Sequence, residues 1–189
     1  KSYSYFFPYG YNKLRKNALS PGTLSLERHR LLWIFLEKET DFFNTENKIL
    51  HIAPEQCFYK SFKKNFESYT TCDLNSPIAE IKADVCNLPF DENEFDFILC
   101  NHVLEHVYDD EKAMKEIYRV LKHEGKAILQ VPVDNALEKT IDGRDITDQN
   151  LRNKLFGQYD HLRLYGPDYY DKLIKVCLLY TSPSPRDPL

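Results

Sequence analysis

Between residues 48 and 133, strand-like and helix-like segments alternate, and this order constrains the fold more than any other feature of the sequence. Apolar runs with the length of buried strands occur at 48–53, 69–72, 78–83, 95–100 and 126–133. Phe58, Phe62 and Phe66 lie four residues apart, which predicts a helix between the first two runs. An amphipathic pattern predicts another helix over 110–122 and an end to it at Gly125. Helices that connect successive strands make those strands parallel, so we expect a doubly wound α/β fold with a mainly parallel sheet of about five strands, the first near the centre.

The segments that flank this core have weaker periodicity. A helix is predicted from Thr23 to Glu39, opened by Thr23 or Ser25, and the polar stretch after Asp134 is too long for an ordinary loop. Pro167 is expected at the first position of a last helix. The Pro- and Ser-rich end has no periodicity and is expected to be disordered or non-native. We therefore divide the chain into an irregular N-terminal arm at 1–22, a domain at 23–179 with its core at 48–133 and an insertion at 134–165, and a tail at 180–189.

Glycine is scarce where nucleotide-binding loops need it. The chain has 6 glycines, and none lies between Gly22 and Gly125. This spacing excludes a Walker loop and an intact G-x-G-x-x-G fingerprint from the core, since both need glycine for left-handed backbone or close approach to phosphate. The first predicted strand runs instead into His51-Ile-Ala-Pro-Glu55. Any nucleotide-type cofactor must therefore be held in another way.

Charge and cysteine content narrow the possible partners. The net charge is −4 with acids and bases interspersed, so we expect no nucleic-acid partner, although Tyr3, Lys13, Arg15 and Lys16 make the N-terminus mildly basic and aromatic. No apolar run approaches the ~20 residues of a membrane helix, and no signal-peptide pattern opens the chain. The 5 cysteines are widely spaced and indicate neither a disulfide framework nor a zinc ribbon. We expect a cytoplasmic protein with reduced thiols, and its oligomeric state stays open.

Two aspartates end predicted strands of the core. Asp73 follows the second strand, where an acidic side chain can accept hydrogen bonds from ribose hydroxyls, although many α/β proteins use such a residue to cap a helix or turn. Asp84 ends the next strand and is followed by Val85, so the pair could bind an adenine amino group and pack against its ring. A simple turn through Asn87 and Asp91 is an equally good interpretation of Asp84.

Three segments together resemble a known family. The stretches Asp84–Phe90, Phe95–Val107 and Glu116–Gly125 are similar, in order, to the class I S-adenosylmethionine-dependent methyltransferases of the type 11 group. The resemblance covers residues 48–133; Ser20–Arg30 and Phe156–Gly166 are similar to a bacterial subgroup of such enzymes. It implies a Rossmann-like fold, S-adenosyl-L-methionine as the cofactor and methyl transfer to an acceptor. The common fold adds two strands after the last helix, so we expect a C-terminally truncated member that lacks them.

The resemblance also implies a set of cofactor-binding residues. The chain departs from the family after the first strand, where a glycine-rich loop is usual. Ala53 is small enough for close backbone approach, Pro54 presets its own φ, and Glu55 could face the amino group or sulfonium of the cofactor. This cofactor has no pyrophosphate to cradle, so the missing glycines matter less than in a dinucleotide enzyme. The expected cofactor site comprises His51, Ala53, Pro54, Glu55, Asp73, Leu74, Asp84, Val85, Asn101 and His102.

Histidines are the candidates for the catalytic base. Methyl transfer needs alignment of the acceptor and, for some acceptors, removal of a proton. His102, His106 and His161 are the candidates, with polar lining of the cleft as the alternative for each. His102-x-x-Glu105-His106 is similar to a carboxylate-rich metal motif of some quinone-pathway O-methyltransferases, but no further ligand is evident, so we expect no metal.

The acceptor is expected to be a small molecule. The candidates for an aromatic wall are tyrosines that could equally belong to the core, namely Tyr159, Tyr165, Tyr169 and Tyr170.

Two other functions compete with methyl transfer. A methyltransferase-like interaction module without activity is favoured by the glycine-free first loop and opposed by Asp73 and Asp84. An NAD(P)-dependent oxidoreductase is suggested only by the i, i+4 pair Tyr118 and Lys122, and it lacks both a serine in the preceding strand and the glycine fingerprint.

Overall fold

The computed structural model describes residues 5–10 and 14–178 of the 189-residue chain. Tyr3, Lys13 and the predicted tail at 180–189 lie outside the described residues. None of the helices among the described residues is long and apolar enough to cross a membrane. In chain order the elements are β1 (Phe7–Tyr9), β2 (Arg15–Leu19), α1 (Glu27–Glu39), β3 (Ile49–Ile52), α2 (Gln56–Asn65), β4 (Tyr69–Asp73), β5 (Ile81–Lys82), β6 (Phe95–Asn101), a 3₁₀ helix (Leu104–His106), α3 (Asp110–Val120), β7 (Leu121–Gln130), β8 (Ile141–Asp142), α4 (Gln149–Phe156), β9 (Arg163–Leu164) and α5 (Tyr169–Lys175).

The central sheet has five strands, all parallel, in the order β5-β4-β3-β6-β7. Strand β3 is central, and its Ile49 is in register with Tyr69 of β4 and Phe97 of β6. All four residues of β3 are buried, as expected for a strand covered on both faces. The α/β Rossmann-like fold with about five parallel strands is therefore confirmed.

The two faces of the sheet bury separate apolar clusters because alternate strand residues point to opposite sides. Ile49 packs with side chains of α1 and with Phe58 and Phe62 of α2, which confirms the predicted helix face, and Phe66, directly after the end of α2, joins the same cluster. Leu50 and Ile52 contact the opposite cluster, built from α3 and α5. Both faces of the sheet are thus covered by apolar side chains, and polar side chains are found at the ends of the strands.

The flanking segments differ from the expectations. Residues 5–10 and 14–22 are not an irregular arm, because β1 and β2 pair as an antiparallel hairpin in which Phe7 is opposite Leu19. These strands are too short to produce a hydrophobic alternation in the sequence. Helix α1 begins at Glu27, and α5 begins at Tyr169, after Pro167.

The end of α3 and the insertion were also only partly predicted. Helix α3 ends at Val120, and the chain passes directly into β7, so Gly125 lies inside a strand and does not end the helix. The insertion contains α4 and the small antiparallel pair β8–β9. The Asp148 side chain caps α4 by accepting the N–H groups of Asn150 and Leu151.

Candidate active site

A cleft of about 690 Å³ opens at the carboxyl ends of β3, β4 and β6. This volume lies in the range of small-molecule sites, roughly 300–1,000 Å³. Strands β4 and β5 follow β3 on one side of the sheet, and β6 lies on the other side of β3. The strand order therefore reverses next to β3, and the cleft lies at this topological switch point. It is lined by Ile52, Ala53, Asp73, Leu74, Asn75, Ala83, Asp84, Val85, Cys86, His102, Val103, His106, Val107, Tyr108, Asp109, Lys112 and Asp160.

Two residues of the cleft wall adopt left-handed backbone. Ala53 follows β3 with φ 51°, and His102 follows β6 with φ 55°. The Ala53 N–H donates to the carbonyl of Cys72 (2.9 Å), and the His102 N–H donates to the carbonyl of Gln130 (2.7 Å). Non-glycine residues in this region cost about 1–2 kcal/mol each and concentrate at ligand sites. Ala53 therefore makes, without glycine, the sharp turn that the missing glycine-rich loop would supply.

Asp73 supports its own turn and still faces the cleft. Its Oδ1 accepts the backbone N–H groups of Asn75 (2.7 Å) and Ser76 (2.5 Å). These bonds orient the carboxylate and leave Oδ2 outside them. The turn interpretation is thus confirmed, and it is compatible with a second oxygen that accepts hydrogen bonds from a ligand.

Asp84 also belongs to a turn at the cleft. It bridges to Asn87, and its Oδ1 accepts the N–H of Cys86 (2.8 Å). Val85 is buried beside it in the wall, and Leu74 adds exposed apolar surface to the same cleft. The wall therefore offers an apolar surface flanked by carboxylates.

Four of the expected cofactor residues lie behind the cleft wall: His51, Pro54, Glu55 and Asn101. The Glu55 carboxylate is held by His51 Nε2 (3.1 Å) and by Asn101 Nδ2 (3.2 Å). His29 of α1 approaches it from the other side, with Nε2 3.4 Å from Glu55 Oε1. His51 is fully buried and its Nδ1 is 2.8 Å from the hydroxyl of Tyr69.

This buried network sets the charge states of its members. Burial raises the pKa of Glu55, but the hydrogen bond and charge of His51, with smaller contributions from Asn101 and His29, outweigh it and lower the pKa overall. Burial lowers the pKa of His29 to about 4, against an opposing effect of Glu55. His29 was not predicted as a site residue from the sequence. Its helical spacing with Leu32 and Leu36 could have indicated that it lies on the buried face of α1.

The three candidate histidines come together at one end of the cleft. His102 and His106 line the wall, whereas His161 is buried behind His106 with ring centroids 4.8 Å apart. His102 Nδ1 donates to Glu105 Oε1 (3.2 Å), and His106 Nδ1 donates to the carbonyl of Asp160 (3.3 Å). Burial, and next the charge of His106, lower the pKa of His161. The insertion therefore closes this end of the cleft with His161 and Asp160.

A buried arginine that sequence reasoning missed fixes this end of the cleft. The Arg163 guanidinium donates to the carbonyls of Leu104 (2.7 Å), Val107 (2.5 Å) and Tyr108 (3.0 Å). Its side chain is fully buried, and Nε lies 3.7 Å from Asp110. No local pattern marks such a residue; the only signal was its position inside the family-like stretch 156–166.

Several other candidates lie away from the cleft. Tyr165 and Tyr169 belong to the core, donating to Asp110 (2.9 Å) and to the carbonyl of Leu129 (3.1 Å), so they do not form an aromatic wall. Tyr118 is half exposed on α3, and Lys122 pairs with Asp96. Neither of the last two residues lines the cleft, which removes the structural basis of the oxidoreductase alternative.

A doubly wound parallel sheet with a small-molecule cleft at its switch point defines a Rossmann-like α/β domain. Residues 47–129 match the model of a family described as Methyltransferase domain. The match covers less than half of the chain, and over this segment the resemblance to the type 11 group is confirmed.

Individual proteins are similar to parts of this chain. An uncharacterized protein of Methanocaldococcus jannaschii is 47% identical over 60 residues, which are 32% of this chain and 26% of that protein. The 2-phytyl-1,4-naphtoquinone methyltransferase of Nostoc punctiforme is 44% identical over 52 residues, which are 28% of this chain and 23% of that enzyme. The matched part thus spans about a quarter of the length of these curated relatives. The solved structure of YcgJ from Bacillus subtilis has a TM-score of 0.56 and 19% identity over 79% of this chain and 67% of that chain, and shows the same fold.

Proposed function

We propose that this protein is an S-adenosyl-L-methionine-dependent methyltransferase that acts on a small-molecule acceptor. The observation that carries the proposal is the cleft at the switch point of a methyltransferase domain, with Asp73, Asp84 and Val85 in its wall. The cleft is also acidic, with four aspartates against the single lysine Lys112 in its lining. An acidic cleft suits a cofactor that carries a sulfonium and an ammonium group.

The β4–β5 side of the cleft is the proposed cofactor half. Asp73 Oδ1 accepts the N–H groups of the turn, and Oδ2 is the oxygen proposed to accept a ribose hydroxyl. Leu74 and Val85 provide apolar surface for an adenine ring, and Asp84 provides an acceptor for its amino group. Ala53 lets the backbone approach the ligand closely, as glycine does in related loops.

His51, Glu55 and Asn101 have a supporting role in this proposal. Their hydrogen bonds join the end of β3, the start of α2 and the end of β6. They therefore hold the two left-handed turns at Ala53 and His102 in position without touching the cofactor.

The 102–109 side is the proposed acceptor half, with His102 as the base. Its Nδ1–H is bonded to Glu105, which fixes the tautomer and leaves Nε2 to accept a proton. S-adenosylmethionine, when bound, would supply the activated methyl group, and the His102 imidazole would take up the proton that the acceptor loses. His106 is the second candidate base when its Nε2 carries no other ligand, and His161 contacts it from behind the wall.

The cellular setting is part of the same proposal. All 5 cysteines are free, in keeping with a reducing cytoplasm. The net charge of −4 opposes binding to nucleic acid, which favours a small-molecule acceptor.

Calorimetric titration with S-adenosylmethionine and with S-adenosylhomocysteine tests the proposal. Asp73→Asn is expected to weaken binding by about 10- to 100-fold, since a hydrogen bond to a charged group contributes about 1.5–3 kcal/mol. Asp134→Asn is the matched control, because Asp134 Oδ1 also accepts a turn N–H, that of Ala136 (2.9 Å), outside the cleft. If the unmodified protein binds neither ligand, the enzyme proposal fails and the inactive interaction module takes its place.

A further inference from the structure

Three potential metal ligands meet beside the acceptor half of the cleft. Glu105, His106 and His161 each place one ligand atom so that all three lie within 4.8 Å of one another. Glu105 and His161 are buried, and His106 is half-buried in the cleft wall. The sequence pattern His102-x-x-Glu105-His106 contained two of these residues, but only the folded insertion supplies the third.

One carboxylate oxygen of Glu105 is buried without a hydrogen-bond partner among the described residues. Its side chain is 1% exposed, and Oε1 accepts the hydrogen bond from His102 Nδ1 (3.2 Å). Oε2 is buried and has no hydrogen-bond partner among the described residues. A buried carboxylate oxygen left unpaired is costly, so it needs a donor or a cation.

The two imidazoles are already oriented as metal ligands usually are. His161 Nδ1 donates to the carbonyl of Phe156 (3.1 Å), and His106 Nδ1 donates to the carbonyl of Asp160 (3.3 Å). Such bonds fix the tautomer and leave Nε2 of each ring as the ligand atom. The Asp160 carboxylate lies 3.4 Å from His106 Nδ1 and adds negative charge behind the site.

We propose that Glu105, His106 and His161 bind a divalent cation of the zinc type. Two imidazoles and one carboxylate are the ligand set of open zinc sites, whereas Mg²⁺ and Ca²⁺ prefer oxygen ligands alone. Ligand atoms at about 2.1 Å from one ion lie about 3.4 Å apart, so binding requires the side chains to close by on the order of 1 Å. Because His106 lines the cleft, the open coordination position is expected to face the acceptor half.

Zinc titration of the metal-free protein by calorimetry tests the site, with the visible absorption of bound Co²⁺ as the fingerprint of coordination. The unmodified protein is expected to bind one equivalent. His161→Ala and Glu105→Gln are expected to weaken binding by more than about 100-fold, and Asp160→Asn by about 10- to 100-fold as an outer-shell change. The control is His123→Ala, which removes an exposed histidine outside this cluster.

The result that overturns the site is absence of stoichiometric zinc binding, or binding that His161→Ala leaves unchanged. Circular dichroism reports whether each variant is folded; if Glu105→Gln unfolds, His161→Ala and Asp160→Asn decide the question. The titration is done without cofactor, so its outcome is independent of S-adenosylmethionine binding.

Discussion

Lowering the pH from 7.5 to 5.0 is predicted to lower the free energy of unfolding through His29 of α1, which lies beside Glu55. The His29 side chain is 8% exposed, and its Nδ1 accepts the N–H of Leu26 (3.1 Å). Burial lowers the pKa of His29 from 6.5 to about 4 even though Glu55 opposes the shift. The folded protein therefore keeps this histidine neutral at a pH where the unfolded chain already binds a proton.

The sign and size of the effect follow from this difference in proton binding. As the pH falls below about 6.5 the unfolded chain gains the proton, so the free energy of unfolding decreases until about pH 4, where the folded protein also gains it. The full difference corresponds to about 3 kcal/mol, of which about 2 kcal/mol is expressed at pH 5.0. The carboxylate of Glu55 stays ionised in this range because its pKa is lowered.

Urea unfolding at the two pH values, followed by the fluorescence of Trp33, measures this effect. His29→Asn removes the titrating ring and leaves an oxygen that can accept the Leu26 N–H. We expect the unmodified protein to lose about 2 kcal/mol more than His29→Asn between pH 7.5 and 5.0. His123→Asn, at an exposed histidine, serves as the control and should behave as the unmodified protein does. Equal pH dependence in the unmodified protein and His29→Asn would refute the reasoning.

Two further predictions concern packing. Phe62→Ala should lower the free energy of unfolding by about 3–5 kcal/mol, because Phe62 is fully buried among aromatic rings; Leu31→Ala, at a side chain 68% exposed, should change it by about 0.5 kcal/mol or less. A urea-measured loss under about 1 kcal/mol for Phe62→Ala would contradict this packing. Arg163→Met should lower the free energy of unfolding by about 3–5 kcal/mol. The change leaves three buried carbonyls without the hydrogen bonds that Arg163 donates, and Asp110 keeps only Lys172 as a cationic partner among the described residues. The same denaturation assay applies, and near-unchanged stability would show that the arginine does not hold the 104–108 segment.

The elements that sequence reasoning predicted are those whose signal is local. The buried run at Ile49–Ile52 and the repeated phenylalanines at 58 and 62 each carry a local signal of burial. The strand, the helix and the central place of the first strand could therefore be predicted, but not the full order of the strands. The β1–β2 hairpin was missed because strands of three and five residues at the surface carry almost no periodic signal.

The candidate site was predictable only where a strand end determines the position of a side chain. Asp73 and His102 directly end or follow strands, so topology alone brings them to the cleft. Glu55 was expected to face the cofactor, but the orientation of its carboxylate depends on His29 of α1. No local sequence pattern indicates that these two residues are in contact. His161 and Arg163 depend in the same way on how the insertion folds back.

A crystal structure with S-adenosylhomocysteine tests the central claim most directly. We expect ligand density in the cleft, with the ribose hydroxyls at the carboxylate of Asp73 and the adenine against Val85. An empty cleft at saturating ligand, or ligand bound elsewhere on the protein, would contradict it.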